Sequence, residues 1–299
     1  MADAPASLVV FGAAGQIGRS LCALTPPPGW RVVPYDRAGV DITRPDQVKA
    51  TLAGIERGMV VNLAAYTQVD KAEAEPDAAF AVNRDAAGTL AQACDAAGLA
   101  LVHLSTDYVF PGTNPEPVVE DEPTGPLNVY GASKLAGERA VLDSASRALV
   151  LRTSWVFGPH GHNFAKTILR RCAMQSEIGV VDDQVGCPTP APAIAAALWA
   201  LAPRLVDAPA GDAFGIFHYC GDEAVSWCGF ARAIVAEATR LGRPEARIRA
   251  ITSADYPLPA RRPARSVLNC AKLAARHGIT APSWRQALRD TLPEMIERL

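Results

Sequence analysis

Residues 8–24 limit the possible folds of this chain more than any other stretch. Leu8-Val9-Val10-Phe11 is a short run of β-formers suited to a buried parallel strand. It runs directly into Gly12-Ala13-Ala14-Gly15-Gln16-Ile17-Gly18, and then into the helix-forming residues Arg19 to Leu24. A strand, a glycine loop and a helix in that order form the context of a dinucleotide-binding turn. Gly12 permits the tight turn, Gly15 lets the backbone approach a pyrophosphate, and Gly18 lets the helix pack against the strand. The helix N-terminus then offers free N–H groups to phosphate oxygens. Without a ligand, the same residues would be a simple glycine turn.

The alternation continues downstream. Arg31 to Tyr35, Met59 to Leu63, Leu99 to Leu104 and Leu149 to Ser154 read as further strands. Helical stretches begin near Pro45, cover Asp77 to Gly98 and run through Lys134 to Leu142. Strands alternating with helices predict an α/β fold, a Rossmann-like doubly wound parallel sheet. The later part is richer in loops. Phe164 to Met174, Ala193 to Pro203 and Trp227 to Leu241 read as helices, and Ile248 to Thr252 as a short strand. The expected division is a dinucleotide-binding domain over residues 1–157 and a smaller substrate-binding lobe, mostly residues 158–299, with some later segments returning to the first. The chain has 299 residues, enough for one large α/β unit or two lobes.

Composition excludes several classes. The formal net charge of −2 speaks against a nucleic-acid binder. No apolar run reaches the ~18 residues of a membrane span, and Met1 to Ser7 lacks the pattern of a secretory leader. Seven scattered cysteines without Cys-x-x-Cys spacing read as reduced thiols of a cytoplasmic protein.

The chemistry concentrates at Tyr130-Gly131-Ala132-Ser133-Lys134. A tyrosine and a lysine four residues apart share one side of a helix. The ammonium favours the phenolate, which brings a phenol of ordinary pKa about 10 toward working pH and makes it a usable proton donor to a carbonyl. Ser105-Thr106 ends a strand, where ligands sit in doubly wound sheets. A hydroxyl there can stabilise the charge developing on a carbonyl oxygen. Thr106 is the first choice for that role and Ser105 the alternate.

The Gly-x-x-Gly-x-x-Gly spacing resembles the short-chain dehydrogenase/reductase superfamily, and its extended, nucleotide-sugar-modifying branch most of all. Asn62-x-Ala64-Ala65 resembles a motif of the same superfamily, with Leu63 as a departure. Longer blocks are more specific: Ser105-Thr106-Asp107-Tyr108-Val109-Phe110-x-Gly112, and Pro126-Leu127-Asn128-Val129-Tyr130-Gly131-x-Ser133-Lys134-Leu135-Ala136-Gly137-Glu138. Arg152 to Phe157, Asn163 to Thr167, Asp183-Gln184-x-Gly186-x-Pro188-Thr189 and Pro259 to Ser266 continue the match. Together they resemble the dTDP-4-dehydrorhamnose reductase family.

The resemblance implies an oxidoreductase that uses NADPH or NADH to reduce C4 of a dTDP-4-keto-6-deoxy sugar, with dTDP-L-rhamnose as product. It implies Tyr130, Lys134 and Thr106 as catalytic residues. Gly12, Gly15, Gln16, Ile17, Gly18, Asp36, Arg37, Asp41, Ile42, Ala65, Tyr66, Thr67 and Leu104 would join Tyr130 and Lys134 around the cofactor. Thr106, Asp107, Trp155, Asn163 and Arg261 would meet the substrate. Asp36 suits NAD and Arg37 suits NADP, so the choice stays open. Asp41 reads equally as a cap for the next helix, and Asn83 either braces the central strands or is a solvated polar residue. Trp155 is a core aromatic or a lid, and Arg261, Arg262 and Arg265 either meet a diphosphate or cap a loop. Some members of the family dimerise around magnesium. Here Ser20 and Pro192 stand near the expected places and only Glu294 is acidic, so no metal is expected, and the oligomer is a monomer or a weak homodimer. Other 4-keto sugars, and a non-catalytic regulatory subunit of the same fold, remain alternatives.

Overall fold

In the computed structural model, residues 5–299 are described. Met1–Ala4, part of the expected 1–157 unit and of the stretch expected to lack a leader pattern, lie outside the described residues. The apolar run opens as β1, Ala6–Phe11, buried throughout. The chain continues through α1 (Gln16–Ala23), β2 (Trp30–Tyr35), α2 (Pro45–Leu52), β3 (Gly58–Asn62), α3 (Val69–Ala72), α4 (Pro76–Phe80), α5 (Ala87–Ala96), β4 (Ala100–Thr106), α6 (Val129–Ser144) and β5 (Ala148–Thr153). A sixth strand, Gly215–His218, returns to this sheet from far along the chain.

The order across the sheet is Gly215–His218, β5, β4, β3, β1, β2, and all its pairs are parallel. The winding direction reverses between β1 and β3, the place where doubly wound sheets open a crevice at the strands' carboxyl ends. The register puts Phe11 beside Asn62 and Asn62 beside His103.

Period-two alternation splits the sheet's side chains between two layers. Leu8, Val10, Met59 and Val61 face α1 and the helix Ala191–Leu205, in a core that also holds Ile194, Leu198 and Trp199. Val9, Phe11 and Val60 face the other way, with Val48 of α2, Leu90 of α5 and Val141 of α6. A third core lies beyond the sheet. There Ile168 and Leu169, Phe230 and Ile234, and Trp284, Leu288 and Met295 bring together the helices Phe164–Cys172, Trp227–Arg240 and Trp284–Glu297. Beside these, Glu177–Val181 pairs in parallel with Arg247–Ile251.

The expected single helix over 77–98 is interrupted. Residues 81–86 form a π-helical segment between α4 and α5. The packing accounts for its shape: α6 crosses so closely that a Cβ on Gly137 would lie 1.9 Å from the Asn83 carbonyl oxygen.

Candidate active site

The glycine turn sits where the sheet reverses. Gly12 has φ +82°, and a side chain there would run into the backbone of Leu63 and Ala64 at 2.7 Å. A Cβ on Gly18 would come within 2.4 Å of the Gly12 oxygen and 2.6 Å of the Ala13 Cα, so the third glycine lets the helix close on the turn itself rather than on the strand. Gly15 is exposed, and a Cβ there would meet only the Gly12 oxygen, at 3.3 Å. Its outer face is open. The first turn of α1 has no side-chain cap and no acidic residue, so its N–H groups stay available to an anion. A dinucleotide pyrophosphate fits this cradle.

The other expected cofactor residues surround the same crevice. Ile17 is buried in the core under the turn and acts by packing. Gln16 turns its amide outward, where Asn163 Nδ2 donates to its Oε1 at 3.0 Å. Past β2, Asp36 and Arg37 are both exposed, and Asp36 Oδ1 accepts from Gly39 N. Asp41 Oδ1 takes both the amide and the hydroxyl of Thr43, which holds its carboxyl below the usual range. Asp41 therefore makes an Asx-type turn, while the cap of α2 is Arg44. Ile42 beside it is buried in the core. Ala65 and Tyr66 are part-buried and Thr67 exposed on the segment after β3.

Asn83 braces that segment. Its Oδ1 accepts from Tyr66 N, and its Nδ2 donates to Tyr66 O and to Ser133 Oγ of α6. The π-helical turn carries an amide that ties the crevice wall to the start of α6, not to the strands. Tyr66 Oη in turn donates to Glu75.

Asn128 caps α6 by accepting from Gly131 N at 2.7 Å. A Cβ on Gly131 would strike the Tyr108 carbonyl oxygen at 2.3 Å, so the helix starts hard against the end of β4. This places Tyr130 over Thr106. Burial pushes the phenol up to about 12, against the lowering influence of the nearby Thr106 hydroxyl and with Asp107 adding repulsion. The expected acidification by Lys134 is absent in this state. Lys134 Nζ donates instead to Leu104 O at 2.7 Å and lies 3.3 Å from His103 Nε2. Removed from water, the lysine is pushed down to about 8, against the attraction of Glu138.

The structure separates the two hydroxyls at the end of β4. Ser105 points away from the crevice and donates to Glu138, which is buried and paired with Arg152 at 2.7 Å. Thr106 faces the crevice and donates to Asp107 Oδ1 at 3.0 Å. Burial pushes the Asp107 carboxyl up to about 6, although Thr106 donates to its Oδ1; its Oδ2 is buried with no partner among the described residues.

The expected substrate residues divide. Trp155 stands at the crevice end of β5 with φ +45°, a strained conformation for a bulky side chain. Its ring stacks on Trp227 at 3.4 Å and 5°, and it packs against Gly186. It belongs to an aromatic cluster with Phe164 rather than standing free as a lid. Asn163 is buried with its amide committed. Besides Gln16, its Nδ2 donates to Gly158 O, and its Oδ1 caps Phe164–Cys172 through Lys166 N. Arg261 is exposed and its carbonyl accepts from Asn128 Nδ2. Arg262 is taken by a two-point ion pair with Asp70 of α3, so it is not a free diphosphate ligand. Arg265 is part-buried, with no partner for its Nε among the described residues.

His103, which the sequence reading passed over, lies at the centre with Asn62, which that reading noted only as part of a motif. His103 and Asn62 are each 1% exposed and bonded to one another, and His103 reaches Lys134. The signal was available: a histidine inside the apolar run of a buried strand needs partners.

Among the described residues, no group of three or more His, Cys, Asp or Glu side chains is arranged to hold a metal. Ser20 Oγ donates to Gln16 O, and Glu294 pairs with Arg298.

Sheet order and turn define the fold of the extended short-chain dehydrogenases/reductases. UDP-glucose 4-epimerase from Thermus thermophilus, solved in complex with NAD, shares it at TM-score 0.77 and 22% identity, over 98% of this chain and 100% of that one. More specifically, the sequence model of the RmlD substrate binding domain matches residues 6–297, and the chain belongs to that family. The dTDP-4-dehydrorhamnose reductase of Sinorhizobium fredii is 42% identical over 282 residues, 94% of this chain and 95% of that protein. That of Burkholderia thailandensis is 44% identical over 302 residues, 97% and 99% of the two chains. The dTDP-4-dehydrorhamnose reductase of Bacillus anthracis, solved in complex with NADP, superposes with TM-score 0.89 at 32% identity, over 97% of this chain and 99% of that one.

Proposed function

We propose that this protein reduces the C4 keto group of dTDP-4-dehydro-L-rhamnose to dTDP-L-rhamnose with NADPH or NADH. The observation that carries the reading is the meeting of the Thr106 hydroxyl and the Tyr130 phenol beside an open glycine cradle. When bound, the nicotinamide cofactor supplies the hydride. Tyr130 supplies the proton to the oxygen on C4. At a pKa near 12 the phenol is fully protonated at neutral pH, so the donor is loaded before substrate arrives. Thr106 has one hydroxyl proton, held on Asp107 in this state, and it turns to the substrate oxygen as negative charge grows there. Lys134 holds the cofactor's nicotinamide ribose. Gly12, Gly15 and Gly18, with the first turn of α1, hold the pyrophosphate, and Asp36, Arg37 and Asp41 flank the adenosine end.

On the substrate side, Asp107 and Trp155 line the sugar pocket and Arg261 meets the diphosphate. Residues 1–157 mainly serve the cofactor and residues 158–299 mainly the sugar. We place the enzyme in the cytoplasm as a monomer or weak homodimer. No helix among the described residues is long and apolar enough to cross a membrane.

Oxidation of NADPH and of NADH, followed by absorbance with and without dTDP-4-dehydro-L-rhamnose, tests the reading. Oxidation only in the sugar's presence, with the rhamnose configuration at C4 of the product by NMR, is expected. No oxidation with any dTDP-4-keto sugar would overturn it in favour of a non-catalytic nucleotide-binding subunit. Turnover of a different sugar only would move the assignment to that substrate.

A further inference from the structure

The chain of buried polar groups behind Lys134 has a direction. Ala64 N donates to Asn62 Oδ1 at 3.1 Å, which fixes the orientation of that amide. Its Nδ2 therefore offers an N–H to His103 Nδ1, 3.1 Å away, and Nδ1 must be the lone-pair nitrogen. Burial keeps the imidazole neutral, with its pKa far below the ordinary value. The single ring proton then sits on Nε2, aimed at Lys134 Nζ at 3.3 Å. An ammonium there sets a donor against a donor, whereas an amine lone pair would accept. The lysine's other contact, Leu104 O, takes one N–H from either form.

We propose that His103, held in one tautomer by Asn62, is a positioning residue that fixes Lys134 Nζ beside the Leu104 carbonyl and biases it toward the amine. The remaining ionisable groups around the lysine are few. Glu138 lies one turn further along α6, paired with Arg152 from β5 and still favouring the ammonium, and Asp107 and Tyr130 stand at the crevice end. None of them supplies a lone pair on the His103 side. At hydrogen-bond distance the lysine thus has one neighbour that welcomes either form and one that opposes the charged form. Such a lysine changes protonation close to working pH, in the helix turn that also carries the proton-donating phenol. The consequence for turnover rests on the function proposed above; the tautomer does not.

The first test is nitrogen-15 NMR of the histidine rings in the wild-type protein without cofactor. His103 should show the Nε2–H tautomer and no titration between pH 5 and pH 9, and an Nδ1–H tautomer would overturn the proposal. The second is His103→Gln, whose side-chain oxygen can accept from an ammonium. The alkaline limb of the kcat/KM profile should move up by about one pH unit, tenfold in proton concentration, with the sugar KM within about twofold. A variant that only loses activity, its alkaline limb unmoved, would overturn the proposal. Should the variant not fold, the NMR result decides. Failure of the functional reading itself would appear separately, as the absence of sugar-dependent oxidation in a wild-type protein whose His103 still shows the predicted tautomer.

Discussion

Asp107 shows how one side chain at the crevice combines cost and use. Its carboxyl is 2% exposed and pushed up to about 6 by burial. A raised acid favours the protonated folded state. Its penalty is therefore absent below the unfolded pKa near 4, grows as pH rises, and is complete above pH 6. The window implies a penalty of about 3 kcal/mol at pH 8. Asp107→Asn keeps an oxygen for Thr106 and removes the charge. The variant should gain about that much stability at pH 8 and almost none at pH 4, by denaturant unfolding at the two values. Equal gains at both would contradict the assignment. Turnover should fall, because the Thr106 proton is then held differently. At this scale the sequence was informative about residue type but not direction. Ser105 and Thr106 are adjacent hydroxyls at a strand end, and only the pleat decides that one faces Glu138 and the other Tyr130. Asn163 illustrates the opposite case: a residue expected to meet substrate turned out to have its amide tied up by protein partners.

Among elements, α6 matters most, because it carries both Tyr130 and Lys134. It is seated by two glycines, Gly131 on the Tyr108 carbonyl and Gly137 on the Asn83 carbonyl. Glycine to alanine inside a helix ordinarily stabilises by about 1 kcal/mol. At Gly137 the new methyl would meet backbone at 1.9 Å, so the sign reverses. Gly137→Ala should lose about 1–3 kcal/mol, the usual cost of overpacking, together with most activity as α6 moves off the π-helical turn. Wild-type stability in urea would contradict this seating. Strands β1 to β5 and their helices apart from α3 were legible from apolar runs and breakers. The π-helical turn was not, since its sequence, Ala81 to Ala86, has ordinary helical composition and its shape comes from the crossing helix. Glu177–Val181 was also missed: a short segment with a charged end and a glycine gains strand character only by pairing with Arg247–Ile251.

Across the whole molecule, the glycine turn and the third core are joined through Gln16 and Asn163. Asn163→Ala removes a helix cap, worth about 1 kcal/mol, and the bridge to Gln16 as well. The unfolding free energy without any ligand should fall by about 1–2 kcal/mol. An unchanged value would return Asn163 to the role of a plain substrate contact. This junction could not be read in the chain, because its partners stand 147 residues apart.

The central claim is that the Tyr130 phenol delivers the proton at C4, and Tyr130→Phe tests it most directly. NADPH affinity of the variant, measured by fluorescence titration, should stay within about threefold of wild type, while sugar-dependent NADPH oxidation should fall by at least about 100-fold, the usual minimum for loss of a general acid. Intact cofactor binding with undiminished turnover would contradict the account.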